Sequence, residues 1–291
     1  MYEATVLDTT VLDQAAIDAY ERDGAIVVRG LFTPEEVAKV ERGIEKVLAD
    51  PGPMAKVASE DDDPGRFFED FCNWQRIGEF EDIAFTSKAA DVAGQLMQAD
   101  VIRLNHDHTL VKEPGTRQET PWHQDQPYYN IDGWQGTSMW MPVDPVAPES
   151  TLEFYAGSHK MGWLMPRTFK DNQAKWFPEG TLNDLPPIEA NRDAYEIISW
   201  PLEPGDVVFF HMLTCHHAYG VPGKNRRRAF SLRFTGDDVT HAPRQWRTSP
   251  QFDGLEAELP AGAPLDHPLF PVVRTRNRAQ LTSDVHRHDD D

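Results

Sequence analysis

After residue 101 the chain breaks into short β-prone runs separated by turn residues, and this punctuation limits what it can fold into. "VIRLNHDHTLVKE" alternates polar and apolar positions, "TSMWMPVD" and "TLEFYAG" are short and rich in β-formers, and "YEIISWPLEPGDVVFFHML" and "RAFSLRFTGD" continue in the same style. Runs of this kind, bounded by Gly, Pro, Asn and Asp, read as strands.

The chain before residue 100 has a different character. In "DQAAIDAYERD", Asp13 is a candidate cap, Ala16, Ile17 and Tyr20 share one helical face, and Gly24 ends the helix before a short buried strand, "AIVVRG". In "TPEEVAKVERGIEKVLAD", Thr33 is the expected N-cap, Pro34 the first helical residue and Glu36 the partner in a capping box. Val37, Val40, Ile44, Val47 and Leu48 form its apolar stripe. Residues 50–66 are a polar, Pro- and Gly-rich loop with the acidic run "SEDDDPG", and "SKAADVAGQLMQ" at 87–98 is a further helix.

Helices followed by a run of short strands imply a mainly β architecture: a double-sheet barrel with peripheral helices packed outside it. The 291 residues are read as one domain. Residues 1–100 form a mostly helical N-terminal layer and 101–250 the barrel core. Within the core, the insertion at 160–195 is expected to act as a flap or lid, and 251–291 form a C-terminal extension ending in a mobile tail, "VHRHDDD".

Charge narrows the partners. Lys and Arg total 28 against 48 Asp and Glu, a formal net charge of -20. That sign repels phosphate backbones and argues against nucleic acid. No stretch approaches the length of a membrane-spanning helix. The N-terminus lacks a basic segment followed by an apolar run, so no signal peptide is expected. The two cysteines, Cys72 and Cys215, suit a reducing compartment. A cytoplasmic protein acting on a small molecule is the expectation, with its oligomeric state open.

Within the β region, "PWHQDQPYYN" (121–130) places His123 and Asp125 two apart. In a strand such residues share a face and offer one imidazole and one carboxylate to a common point. The pattern alone is weak, since the tail repeats it at His288 and Asp290. A second block, "GDVVFFHMLTCHHAYGVPGKNRRRAFSLRF" (205–234), adds weight. It carries His211, His216 and His217, then Arg226, Arg227 and Arg228 directly before an apolar strand. Two imidazoles and one carboxylate on one side of a metal leave open positions, the arrangement of non-haem Fe(II) oxygenases.

"WHQD", "GSHK" (157–160), "GDVVFFH", the histidine five residues beyond it and "RRAFSLRF" resemble the phytanoyl-CoA dioxygenase family of Fe(II)/2-oxoglutarate oxygenases. The resemblance runs from about residue 17, at "DAYERDGAIVVRGLFTPEEV", to about residue 236. It implies a double-stranded β-helix core, the cupin-like jelly roll. His123, Asp125 and His216 match the family's iron ligands. Arg227 matches the arginine that grips the distal carboxylate of 2-oxoglutarate, a task that favours a planar fork. Trp140 and Asn105 match positions lining the co-substrate pocket. Where relatives commonly read His-Gly-Ser, this chain has His216-His217-Ala218. His217 is the alternative ligand, but adjacent strand residues face opposite ways and His216 is preferred. The carboxylate of Asp125, where halogenating relatives carry a small residue, implies hydroxylation with O2 as oxidant and succinate and CO2 as products.

Other polar residues have plainer readings. His211 is expected to make a structural hydrogen bond and His159 to hold a loop, while His106 packs near the pocket wall. Lys112 and Arg117 read as solvated loop charges. Arg226 and Arg228 read as exposed, or paired with surface acids. Trp134 covers the barrel rim. Tyr128, Tyr129, Asn130 and His108 are candidate substrate contacts. Their polarity, with that of Arg103, points to a small polar or zwitterionic substrate such as an aminophosphonate or an amino-acid derivative. The alternatives are an acyl-CoA or natural-product scaffold, or a cupin-type metal module without oxygenase activity. Only the oxygenase reading needs Arg227.

Overall fold

The computed structural model describes residues 3–167, 177–245 and 247–276. Part of the expected flap, 168–176, and the expected mobile tail from 277 onward lie outside the described residues.

The largest element is a nine-stranded sheet. Its long central strand, Val101–Lys112, pairs along one edge with Arg227–Thr235, which leads on through Gly136–Pro142 and Val207–His211 to Ala25–Val28. Along the other edge it takes Val272–Thr275 beside its first residues and Phe67–Phe71 beside its last. A four-stranded sheet runs in the order Ile197–Ser199, Leu152–Tyr155, His216–Ala218, Thr120–His123.

Alternation along the strands explains how the layers stack. In "VVFF", Val207 and Phe209 point to one apolar core and Val208 and Phe210 to another. Met139 and Met141 join the first core and Trp140 the second. A strand buried on both faces reads as a continuous apolar run, because each face has its own hydrophobic neighbour. The first core lies against the helices, with Phe80 stacked on Phe230 at 4.1 Å. The second lies between the two sheets, where Trp140, Val208 and Phe210 meet Leu152, Phe154 and Ala218. This is the jelly-roll core with helices outside it.

The helices anticipated from the sequence are present. Gln14–Asp23 begins at Asp13, whose side chain accepts from the Ala16 amide, and ends at Gly24 with φ 80°. Pro34–Ala49 carries the full capping box between Thr33 and Glu36. Ala89–Met97 is the third. Besides the expected strand Ala25–Val28, the N-terminal layer contributes Lys56–Val57, inside the stretch read as a loop, and Phe67–Phe71 to the large sheet, and a helix, Gly78–Thr86, that no capping residue announced. In the C-terminal extension, Val272–Thr275 is a strand of the same sheet. Arg274 fixes it there: buried, it donates to Asp91 and to the carbonyls of Phe85 and Ser87.

Candidate active site

His123 closes the strand Thr120–His123, and His216 opens the strand His216–Ala218; the two residues face each other directly in the antiparallel register. Directly opposed residues of an antiparallel pair project from the same face. That places the imidazoles side by side, with ring centroids 4.1 Å apart. Asp125 arrives differently from the expectation. It lies beyond the strand, with φ -73° and ψ -49°, at the start of the short helix Gln126–Tyr128. The amides of Asp125 and Gln126 both donate to the Met212 carbonyl, which holds this turn against the segment leading to His216. Asp125 Oδ1 is thereby 3.5 Å from His123 Nε2 and 3.7 Å from His216 Nε2. The three ligand atoms lie within 4.8 Å of one another.

Hydrogen bonds then fix which atoms face that point. His123 Nδ1 donates to the Pro121 carbonyl at 2.8 Å and His216 Nδ1 to the Thr214 carbonyl at 3.0 Å. A proton held on Nδ1 leaves the Nε2 lone pair for a metal. Asp125 Oδ2 accepts from Ser138 at 2.8 Å and from Arg233 at 3.2 Å, leaving Oδ1 turned inward. Burial alone would raise the Asp125 carboxyl, but the Arg233 guanidinium and the two imidazoles overturn it and hold the group well below the usual carboxylate range. Burial, then the neighbouring His123, pushes His216 down to about 3, so its ring is neutral. A charged carboxylate and two imidazoles presenting their Nε2 atoms are a donor set that fits ferrous iron.

These ligands open into a cavity of about 490 Å³ that also contains Trp140, Tyr128, Tyr129, His108, Arg227 and Arg233. Arg227 is 5% exposed. Its guanidinium donates to the Ser150 carbonyl and lies 5.7 Å over the Trp140 ring, and among the described residues no carboxylate pairs with it. Burial lowers it to about 10, still charged at neutral pH. A buried cation without a counter-charge is costly, and an anionic ligand in the cavity would relieve it. That is what the distal carboxylate of 2-oxoglutarate would supply.

Other expectations meet the structure less uniformly. His217 turns to the opposite side, 3.5 Å from Glu153 and 3.7 Å from Glu119, and stacks on Trp122. Asn105 and Asn130 are buried but do not line the cavity; Asn105 Oδ1 accepts from His106, and the Asn130 carbonyl accepts from Ala242. Lys112 is not a solvated loop charge. It is 1% exposed and donates to the carbonyls of Gln118 and Tyr219, because the strand pairing puts it opposite Arg227 on the inner face. Arg117 does lie in the loop, bonded to Asp62. Arg226 pairs with Glu113 and Glu45, and Arg228 with Asp144, Glu41 and Glu45. His211 lies against the Trp134 carbonyl and His159 against the Glu21 carbonyl, both structural contacts.

Arg233 is the site residue that sequence reasoning missed. A signal existed, since Arg227, Ala229, Ser231 and Arg233 follow at intervals of two along one strand and must share its inner face.

Solved structures with the same fold include SnoK, a non-heme alpha ketoglutarate dependent carbocyclase from nogalamycin biosynthesis. It is 21% identical with a TM-score of 0.72, over 92% of this chain and 99% of that one. The epimerase SnoN, in complex with Fe3+, alpha ketoglutarate and nogalamycin RO, is also 21% identical with a TM-score of 0.70, over 90% of this chain and 98% of that one. EctD from S. alaskensis, in its apoform, is 20% identical with a TM-score of 0.61, over 80% of this chain and 81% of that one. The family model for phytanoyl-CoA dioxygenase (PhyH) matches residues 20–229, a span that holds all three candidate ligands and Arg227. The chain therefore belongs to the phytanoyl-CoA dioxygenase family, and it is a 2-oxoglutarate-dependent non-haem iron oxygenase.

Proposed function

We propose that this enzyme hydroxylates a small polar or zwitterionic substrate, an amino-acid derivative or aminophosphonate being the class in view, with release of succinate and CO2. His123, Asp125 and His216 would hold iron, and Arg227 the distal carboxylate of 2-oxoglutarate against the Trp140 face. Iron with its co-substrate supplies the oxidising chemistry for attack on an unactivated C–H bond. The chain's own residues prepare the ground. Backbone carbonyls keep Nδ1 protonated on both histidines, Arg233 and Ser138 orient Asp125, and Leu152 and Phe210 keep water from the inner end. Tyr128, Tyr129 and His108 form the wall left for the substrate. Free Cys72 and Cys215 favour action in the cytoplasm.

The observation that carries this reading is the buried guanidinium of Arg227, paired with no carboxylate among the described residues, sharing one cavity with the three converging donors. Anaerobic Fe(II) plus 2-oxoglutarate should give a weak visible charge-transfer band, diminished in Arg227→Ala. Substrate-driven succinate release should vanish in Asp125→Ala. An iron-loaded protein with no band would overturn the reading.

A further inference from the structure

One wall of the cavity is built by the hairpin Lys56–Val57 and Phe67–Phe71 together with His108, and its chemistry is unlike that of Arg227 and the three ligands. Phe67, Glu69 and Phe71 alternate inward along their strand. Glu69 is 6% exposed, so a charged carboxylate has been carried into the wall. His108 stacks on Phe71 with centroids 3.9 Å apart, and its Nε2 is 3.2 Å from Glu69 Oε1. Facing a carboxylate at that distance, Nε2 carries the ring proton, so His108 supports Glu69 in the wall.

One cation already visits the place. Lys56 Nζ is 3.3 Å from Glu69 Oε2 and 5.1 Å above the Phe71 ring. Its side chain is 50% exposed, so it can swing to solvent. A carboxylate and an aromatic face around one point are the two groups that receive an ammonium. Apart from Asp125, Arg227 and Arg233, the cavity lining carries one lysine, Lys56, against Glu60, Glu69 and Glu119. The substrate side is therefore net negative.

We infer that Glu69, Phe71 and His108 form the specificity subsite of this enzyme, receiving a protonated amine of the primary substrate in the position Lys56 occupies without it. The inference rests on reading the cavity as the oxygenase site. Glu69 takes the charge, His108 holds that carboxylate in place, and Lys56 is displaced outward. Substrates bearing only an anionic group are rejected by the same carboxylates.

Calorimetry on the metal-free protein separates this inference from the iron chemistry. The probes are matched pairs, 2-aminoethylphosphonate against ethylphosphonate and β-alanine against propionate. The amine of at least one pair should bind, and its deaminated partner should not. Glu69→Gln should weaken amine binding about tenfold or more, and Lys56→Ala should tighten it, with thermal melts checking that both variants fold. Equal binding within every pair, no binding by any amine, or weaker amine binding in Lys56→Ala would overturn the inference. Loss of the iron–2-oxoglutarate band in the wild type would instead count against the oxygenase reading. Because the probes are titrated without iron, the two failures are distinguishable.

Discussion

Arg233 shows how one side chain sets the chemistry of another. It reaches Asp125 with one nitrogen and the Tyr129 hydroxyl with another, both at 3.2 Å, from the strand that also carries Arg227. Arg233→Met should weaken iron affinity about 10–100-fold, read by metal titration. With the guanidinium gone, the Asp125 carboxyl rises, so metal binding should fail at a higher pH than in the wild type. Asp107, on the opposite face of its strand, carries a second titration. Burial raises it to about 7 against the opposing Trp74 and Asn73 amides, and its Oδ2 has no partner. The folded state therefore keeps this proton while the unfolded chain loses it near the ordinary aspartate value of 3.8. Stability from Asp107 is present below about pH 4 and is lost as pH rises towards 7, at about 1.4 kcal/mol for each pH unit crossed. Asp107→Asn should flatten that slope and raise the melting temperature at pH 8. At this scale the ligands were legible, because spacing and phrase mark them. Arg233 and Lys112 were not read, because charge suggests solvent, and only strand parity reveals that both point inward.

Two helices were readable from their caps, while among the uncapped ones Ala89–Met97 was read and Gly78–Thr86 was not. Thr33, Pro34 and Glu36 mark the Pro34–Ala49 helix, whereas Gly78–Thr86 begins at Ile77 with no side-chain cap. The strand "FFEDF" hid for another reason. Phe67, Glu69 and Phe71 face the cavity while Phe68 and Asp70 face the other side, so polar residues are buried on both faces and no amphipathic alternation survives. Val272–Thr275 joins its sheet through pairing with two strands far back in sequence, Val101–Lys112 and Thr5–Val6, which no local pattern encodes. Gly24 is an element boundary with reach into the site. Its φ is 80°, a Cβ there would approach His159 Nδ1 and Thr214 Oγ1 at 2.4 Å, and its carbonyl accepts from Thr214 two residues before His216. Gly24→Ala should lower stability by about 1–2 kcal/mol from the backbone conformation alone. Iron affinity should fall with it, a pairing that denaturation and metal titration on one sample would check.

For the whole molecule, the order of helices then short strands conveyed the jelly roll, but not its division into two cores. "VVFF" looks the same whichever neighbour each face meets. Nor could the sequence show that the N-terminal hairpin at 56–71 lines the cavity, since that depends on a strand pairing across about forty residues. The ligands stand on paired strands and a pinned turn, so the fold should survive without metal. Chelation should abolish succinate release yet shift the melting temperature by only a few degrees, as linkage to a weakly held ion requires.

The direct opposition of His123 and His216 has one more consequence. Two imidazoles suspended from one rung of a single ladder take their bite from the backbone spacing, not from the ion between them. A rigid bite of that kind accepts cobalt or nickel as readily in size as iron, and intrinsic affinities favour both over iron. Fidelity for iron must then come from the supply the cell maintains, and nickel or cobalt at excess would occupy the centre as dead-end competitors.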